Sequence, residues 1–244
     1  MAATARVIGA RPPGAPFSYV ITSNASHLVR LHELKDARFA ATLADAGLHT
    51  LDGSVPHFLA TRLFGLHIPL CPGSDLTAEL FAHVIKPQDA ITIIGGNEEI
   101  RSRLAQRYGL ETIHLHVPPM GFIKDPAAVE AAIDFVVAHP ARYVFLVTGA
   151  PRSEYLAHMI FQRGTAVGTG LCVGSSLNFL TGLTPRAHPA FRRLGLEWLY
   201  RLIQTPETHI RRVFVESLPI FRVAARAKCN PAAYGMGNPP AGQP

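Results

Sequence analysis

The chain has 244 residues, 48% hydrophobic and 16% charged, with a net charge of +6. That length suits one α/β domain, or one domain with an appendage, and the composition excludes disorder over most of the chain. Three cysteines, Cys71, Cys172 and Cys229, form no CxxC pair and cannot all be bridged, which points to a reducing compartment.

The first sixteen residues, MAATARVIGARPPGAP, hold no continuous apolar run and are expected to be a flexible segment, not a signal peptide. FSYVITSN (17–24) reads as a strand, and helical spacing follows from Ala25 until Gly47. LHTLDGS (48–54) is a second short strand with Asp52-Gly53 at its end, and VPHFLATRLFG is a helix that stops at Gly65. A Pro/Gly connection leads to a helix over Leu76–Ile85. AITIIGGNEE (90–99) is a buried strand, a Gly-Gly turn and the start of a helix. ETIHLHV is a strand, PPMGFIKDP a loop and AAVEAAIDFVVAH a helix. YVFLVTGAPRSE (143–154) repeats the strand–glycine–helix design, and TAVGTGLCVGSS (165–176) is the last strand.

Alternation of strands and helices predicts an α/β, Rossmann-like, mainly parallel sheet with helices on both faces. Residues 17–188 are assigned to that domain, 189–228 to a basic helical appendage divided at Pro206, and 229–244 to a disordered tail. The uncharged stretch Gly164–Pro185 is too rich in Gly, Ser and Thr for a membrane span and reads as a buried strand and turn. Charge is concentrated in the appendage. Arg186–Lys228 holds nine basic and three acidic residues, so it carries the whole excess of +6. Such a segment implies an anionic partner.

Polar residues gather at the strand ends: Thr22 and Asn24, Asp52, Gly73–Asp75, Gly95–Asn97, Gly149–Glu154 and Gly174–Ser176. Glycines there let backbone N–H groups approach a phosphate. An ordinary strand-to-helix turn explains any one of them, but several on one sheet edge favour a nucleotide. Asp52 can act as a general base toward a sugar hydroxyl, or be a turn or capping carboxylate. His114 and His116 share one face of a strand without further ligands at metal spacing, so a structural or solvent-facing role is expected and no metal site is assigned. GxGxxG, a Walker lysine, HExxH and GxSxG are all missing.

From Phe17 to Ala227 the chain resembles the WecG/TagA/CpsF glycosyltransferases. The motifs that carry the resemblance are VITSNASHLV, LDGSVP, PGSDL, IIGGNEE, GFI, VTGAPRSE and, most specifically, RRLGLEWLYRLIQTPETHIRR. The resemblance implies inverting transfer of a sugar from a UDP-sugar to a polyprenyl-diphosphate-linked saccharide, with no cofactor and no essential metal. It implies a base at Asp52 and an active-site threonine at Thr22. Asn24, Gly73, Ser74, Asp75, Arg152, Ser153, Glu154, Arg211, Arg212 and Arg222 would then serve the substrates. Gly95, Gly96, Asn97, Gly121, Phe122 and Gly149 would serve the nucleotide. It further implies a cytoplasmic protein peripheral on the inner face of the membrane, its basic appendage against anionic lipid.

Three places depart from the family pattern: Leu70 stands for an arginine, Ser153 for a glutamine and Asn178 for an aspartate. They keep open a second reading, a weakened paralogue that binds nucleotide sugar or lipid-linked glycan and supports another transferase. A nucleic-acid module is a third reading, opposed by the lack of an aromatic platform or recognised motif. Donor sugar, acceptor and oligomeric state are not fixed by the sequence.

Overall fold

A computed structural model describes residues 1–185, 191, 197–204 and 210–235. Six strands form one sheet: β1 (Ser18–Ser23), β2 (Leu48–Leu51), β3 (Ile91–Ile94), β4 (Ile113–His116), β5 (Tyr143–Leu146) and β6 (Thr169–Cys172), in the order β2-β1-β6-β5-β3-β4. The pairs β1–β6, β6–β5, β5–β3 and β3–β4 are parallel, with Ser18 opposite Thr169, Thr169 opposite Tyr143, Tyr143 opposite Ile91 and Ile91 opposite Ile113. The expected α/β, Rossmann-like architecture is therefore the one observed.

The central strands ITII and YVFL are buried along their whole length, as parallel strands covered on both faces must be. Side-chain alternation divides the core in two. Val20, Ile91, Ile93, Tyr143, Phe145 and Leu171 face α1 (Ala2–Gly9), α5 (Gly73–His83), α6 (Glu98–Tyr108) and α9 (Ser176–Leu180). Tyr19, Ile21, Ile94, Val144, Leu146 and Cys172 face α7 (Pro126–Ala138) and α8 (Arg152–Arg163). The helices start and stop on local signals. Asp125 caps α7, with Pro126 at its first position, and Gly109 and Gly164 close α6 and α8 in the left-handed conformation.

The chain forms two compact units. One comprises Met1–Thr22, Arg38–Thr50 and Cys71–Arg186; the other comprises Ser23–Ala37, Leu51–Leu70 and Ala187–Pro244. The second contains α2 (Ala25–His32), α4 (Ser54–Phe64), α10 (Glu197–Gln204), a π-helical segment (Arg211–Ser217) and α11 (Ile220–Cys229). The expected division at Pro206 lies outside the described residues.

Three expectations change. The first sixteen residues are not simply flexible: α1 forms there because Ala5 and Ile8 insert into the core. The helix expected from Ala25 to Gly47 is split into α2 and α3 (Ala37–Ala44) at Lys35, whose φ is 49°, with Arg30 and Asp36 paired at 3.1 Å beside the break. In the tail, Pro231–Tyr234 forms a 3-10 turn capped by Asn230, while residues 236–244 lie outside the description.

β4 is an edge strand whose histidines back onto α7. His114 packs at a tilt against His139 with ring centroids 4.7 Å apart, and His116 packs against Phe135 at 5.1 Å. Burial holds both β4 imidazoles below the ordinary histidine value, and for His114 the neighbouring His139 adds to the effect. In this structure both rings pack against the α7 side of the sheet.

Two predictions follow from this packing. Ile8→Ala should cost about 2–4 kcal/mol in denaturant unfolding, the range for truncating a buried aliphatic side chain, whereas a flexible N-terminus would lose nothing. The second concerns pH. Because His114 and His116 are depressed in the folded state, the unfolded chain takes up protons first as pH falls below about 6.5. Stability should therefore decline from neutral pH downward until the folded-state values are passed, and His116→Gln should reduce that slope in urea titrations run at several pH values.

Candidate active site

The connections leaving β3 and β5 run in opposite directions across the sheet, from β3 outward to β4 and from β5 inward to β6. Neighbouring strands whose crossovers diverge leave a crevice at their carboxyl ends. A cleft of about 160 Å³ lies there. Gly95 and Gly96 line it after β3, Val117 to Phe122 after β4, and Val147, Thr148 and Arg152 after β5.

The sequence builds this cleft from close backbone approach. Gly95 has φ +94°, and a Cβ there would lie 3.1 Å from Thr148 Cγ2 and 3.2 Å from the Val147 carbonyl carbon. Its N–H donates to the His116 carbonyl at 2.8 Å, which ties the β3 turn to the end of β4. Gly149 has φ +83°, and a Cβ would come within 3.0 Å of Arg152 Nη2, so the guanidinium lies over that turn. Phe122 is buried among the side chains of the α7 face and anchors the loop that Gly121 turns. Arg152 opens α8, which places a cation and the first amides of a helix on the cleft side of the sheet.

Ser153 and Glu154, expected to serve a substrate, point into the protein instead. Ser153 is 1% exposed, with its hydroxyl 3.1 Å from that of Thr148. Glu154 is 2% exposed beneath β6, where burial and the Glu154 carboxylate push the Cys172 thiol well above its ordinary value. Asn97 does not line the cleft; its side chain accepts from the Ile100 N–H at 2.9 Å and caps α6.

A second group of strand-end residues surrounds Thr22. The Thr22 hydroxyl is buried and donates to the Cys172 carbonyl at 3.0 Å. Gly73, first residue of α5, fits against it: a Cβ would lie 3.1 Å from Thr22 Oγ1 and 3.4 Å from the Val173 carbonyl oxygen. Thr77, one turn further along α5, is 2.9 Å from Ser176 Oγ. Thr22, the Gly73–Ser74–Asp75 turn and the Gly174–Ser176 loop are thus gathered at the carboxyl ends of β1 and β6.

In the second unit, the Asp52 N–H donates to the Ser23 carbonyl at 2.7 Å. Gly53, with φ 99°, occupies the cap position of α4, so Asp52 precedes the helix cap. Asn24 is a capping residue: its side chain accepts from the Ser26 N–H at 3.0 Å, and the Asn24 N–H donates to His27 Nδ1 at 3.3 Å. Leu70 bridges to Leu51, the residue before Asp52.

α11 buries Ile220, Val223, Ala224 and Ala227 and is tied down by Arg226 to Glu33 at 3.0 Å and by Lys228 Nζ to the Leu63 carbonyl at 3.1 Å. Arg222 reaches only 4.0 Å from Glu33 and stays largely exposed. Phe214, Val215, Leu218 and Phe221 are exposed as well. The side chains of Arg211, Arg212 and Trp198 lie outside the described residues. Among the described residues, no helix is long and apolar enough to cross a membrane, and no group of three His, Cys, Asp or Glu side chains could hold a metal.

Thr148 and the Val117–Pro119 wall are functional candidates that their sequence context signals only weakly. Thr148 stood one residue before the glycine turn singled out, and the Pro-Pro pair after a strand was a signal for a fixed loop wall.

The chain is 24% identical over 195 residues to the N-acetylglucosaminyldiphosphoundecaprenol N-acetyl-beta-D-mannosaminyltransferase of Bacillus spizizenii, an alignment covering 78% of this chain and 72% of that protein. The Glycosyl transferase WecG/TagA/CpsF family matches residues 1–234. With a parallel α/β sheet, a glycine-walled cleft at its switch point and a match across nearly its whole length, the chain belongs to the WecG/TagA/CpsF glycosyltransferase family.

Proposed function

We propose that the protein is an inverting transferase that moves a sugar from a UDP-sugar to a polyprenyl-diphosphate-linked saccharide in bacterial surface-polymer synthesis. The observation that carries this reading is the cleft between the β3 and β5 loops, with Arg152 on its wall, in a chain of this family. A nucleoside diphosphate needs close backbone approach and positive charge, and this cleft offers both. The relative from Bacillus spizizenii, named for an undecaprenyl-diphosphate acceptor, supports a lipid-linked acceptor.

The step balances without a resident metal. An acceptor hydroxyl oxygen forms a bond to the anomeric carbon while that carbon's bond to the diphosphate oxygen breaks from the opposite side, which inverts the centre. Asp52 takes the hydroxyl proton. The electron pair leaves with UDP, whose charge Arg152 offsets. Acceptors of this kind lie in a bilayer, so the enzyme works as a peripheral protein on the inner face of the cytoplasmic membrane. The exposed Phe214, Val215, Leu218 and Phe221 beside exposed Arg222 support that placement, because a solvated basic helix has no need of such an apolar surface.

A second reading, a donor-binding paralogue without turnover, draws support from Ser153, whose buried hydroxyl presents nothing to the cleft. One assay decides between them: UDP release from a panel of UDP-sugars with a polyprenyl-diphosphate acceptor, in buffer containing a chelator. Transfer is expected, and Asp52→Asn should lower turnover about 10²–10⁴-fold with donor affinity unchanged. Donor binding without turnover in the native protein selects the paralogue, and turnover that appears only on adding a divalent cation removes the metal-free step.

Membrane docking has its own test. Replacing Arg211, Arg212 and Arg222 by Gln removes three charges worth about 1 kcal/mol each near anionic lipid, so partition onto phosphatidylglycerol vesicles should fall on the order of 100-fold. Sedimentation at physiological salt reads this directly. Unchanged binding would assign the arginines to some role other than docking.

A further inference from the structure

α6 and α9 join the cleft to the point where the chain leaves the first unit. α6 starts directly after the Gly95–Gly96–Asn97 turn and runs eleven residues, about 16 Å. Arg103 and Arg107, four residues apart and so on one face of α6, both reach the end of α9. Arg103 Nη1 donates to the Thr181 carbonyl at 3.0 Å, and Arg107 Nη1 donates to the Leu180 carbonyl at 2.6 Å. Glu99 holds the Arg103 fork from behind at 2.6 Å.

α9 is only five residues long, too short to hold a position by its own hydrogen bonds. The Leu177, Asn178 and Phe179 carbonyls accept from the Thr181, Thr184 and Gly182 N–H groups, and the two carbonyls that follow, of Leu180 and Thr181, are the ones the arginines hold. Its other end is fixed by Ser176, whose Oγ accepts from the Thr77 hydroxyl of α5. α9 is therefore anchored at its start by the helix that begins against Thr22, and at its end by the helix that begins at the cleft. The chain then passes through Gly182, shortly before the first unit ends and the basic C-terminal segment begins.

We propose that Arg103 and Arg107 are positioning residues for acceptor use: by holding the last carbonyls of α9 they fix the point from which the C-terminal segment departs. This inference rests on the reading above, in which that segment serves a lipid-linked acceptor. Neither arginine lines the cleft, so donor binding is expected to survive their replacement.

The test is the Arg103→Gln/Arg107→Gln double variant, read by amide exchange, donor affinity and acceptor kinetics on the full chain. Exchange over residues 178–185 should quicken on the order of tenfold or more, as expected when charge-assisted bonds to a short helix are removed. The KM for a polyprenyl-diphosphate acceptor should rise about fivefold or more, with UDP affinity and the main thermal transition held. Arg107→Lys, which keeps one donor, should restore part of both effects. Faster exchange with an unmoved acceptor KM would make these arginines packing groups only and overturn the proposal, as would unchanged exchange. If the double variant fails to fold, the single variants carry the same readings. A native protein that transfers nothing defeats the transferase reading itself, whereas a native protein that transfers normally while the variant's acceptor KM stays put defeats this inference alone.

Discussion

Parallel pairing of β1, β6, β5, β3 and β4 puts the carboxyl ends of these strands on one edge of the sheet, and every feature of the candidate site depends on that constraint. Parallel strands need crossovers, and crossovers bring helix starts back to the same edge. Because β5 pairs with β3 on one side and β6 on the other, its crossover and that of β3 must diverge. The crevice that opens between them results from strand order, and the glycines at 95, 96 and 149 refine what the topology has already made.

The chemistry of that edge is mostly backbone. Gly95 and Gly73 sit where a Cβ would crowd a neighbouring strand end, and small hydroxyls fill the remaining space: Thr148 with Ser153, Thr77 with Ser176, Thr22 with the Cys172 carbonyl. On the proposed function, such a surface would hold an anion through backbone N–H groups and the Arg152 cation. Asp52 follows the carboxyl end of β2, and its backbone N–H is held to the Ser23 carbonyl.

The sheet was legible because runs such as ITII and YVFL, each followed by a glycine turn and a helical pattern, leave few alternatives to parallel strands with crossovers. α1 was not. AATARVIG precedes a Pro/Gly stretch and looks like a loose end, and only the tertiary burial of Ala5 and Ile8 makes it a helix. The break at Lys35 carries no Gly or Pro to announce it. At the site, residue type alone was ambiguous. Asn24 and Asn97 were marked as ligand groups, and both act as helix caps, because the side chain that suits a sugar hydroxyl also suits an N-terminal amide. Ser153 and Glu154 stood next to Arg152 in sequence, but a helix turns 100° per residue, so Arg152 reaches the cleft while its neighbours enter the core.

The proposed nucleotide site is the cleft between the β3 and β5 loops. Titrating UDP into isotope-labelled protein and following backbone amide shifts tests this directly. Saturable shifts should concentrate at Gly95–Asn97, Val117–Phe122 and Thr148–Arg152, the three loops that meet at the switch point. Saturation that leaves those loops unmoved, or shifts centred on the opposite, amino-terminal edge around Arg11 and Thr169, would contradict it.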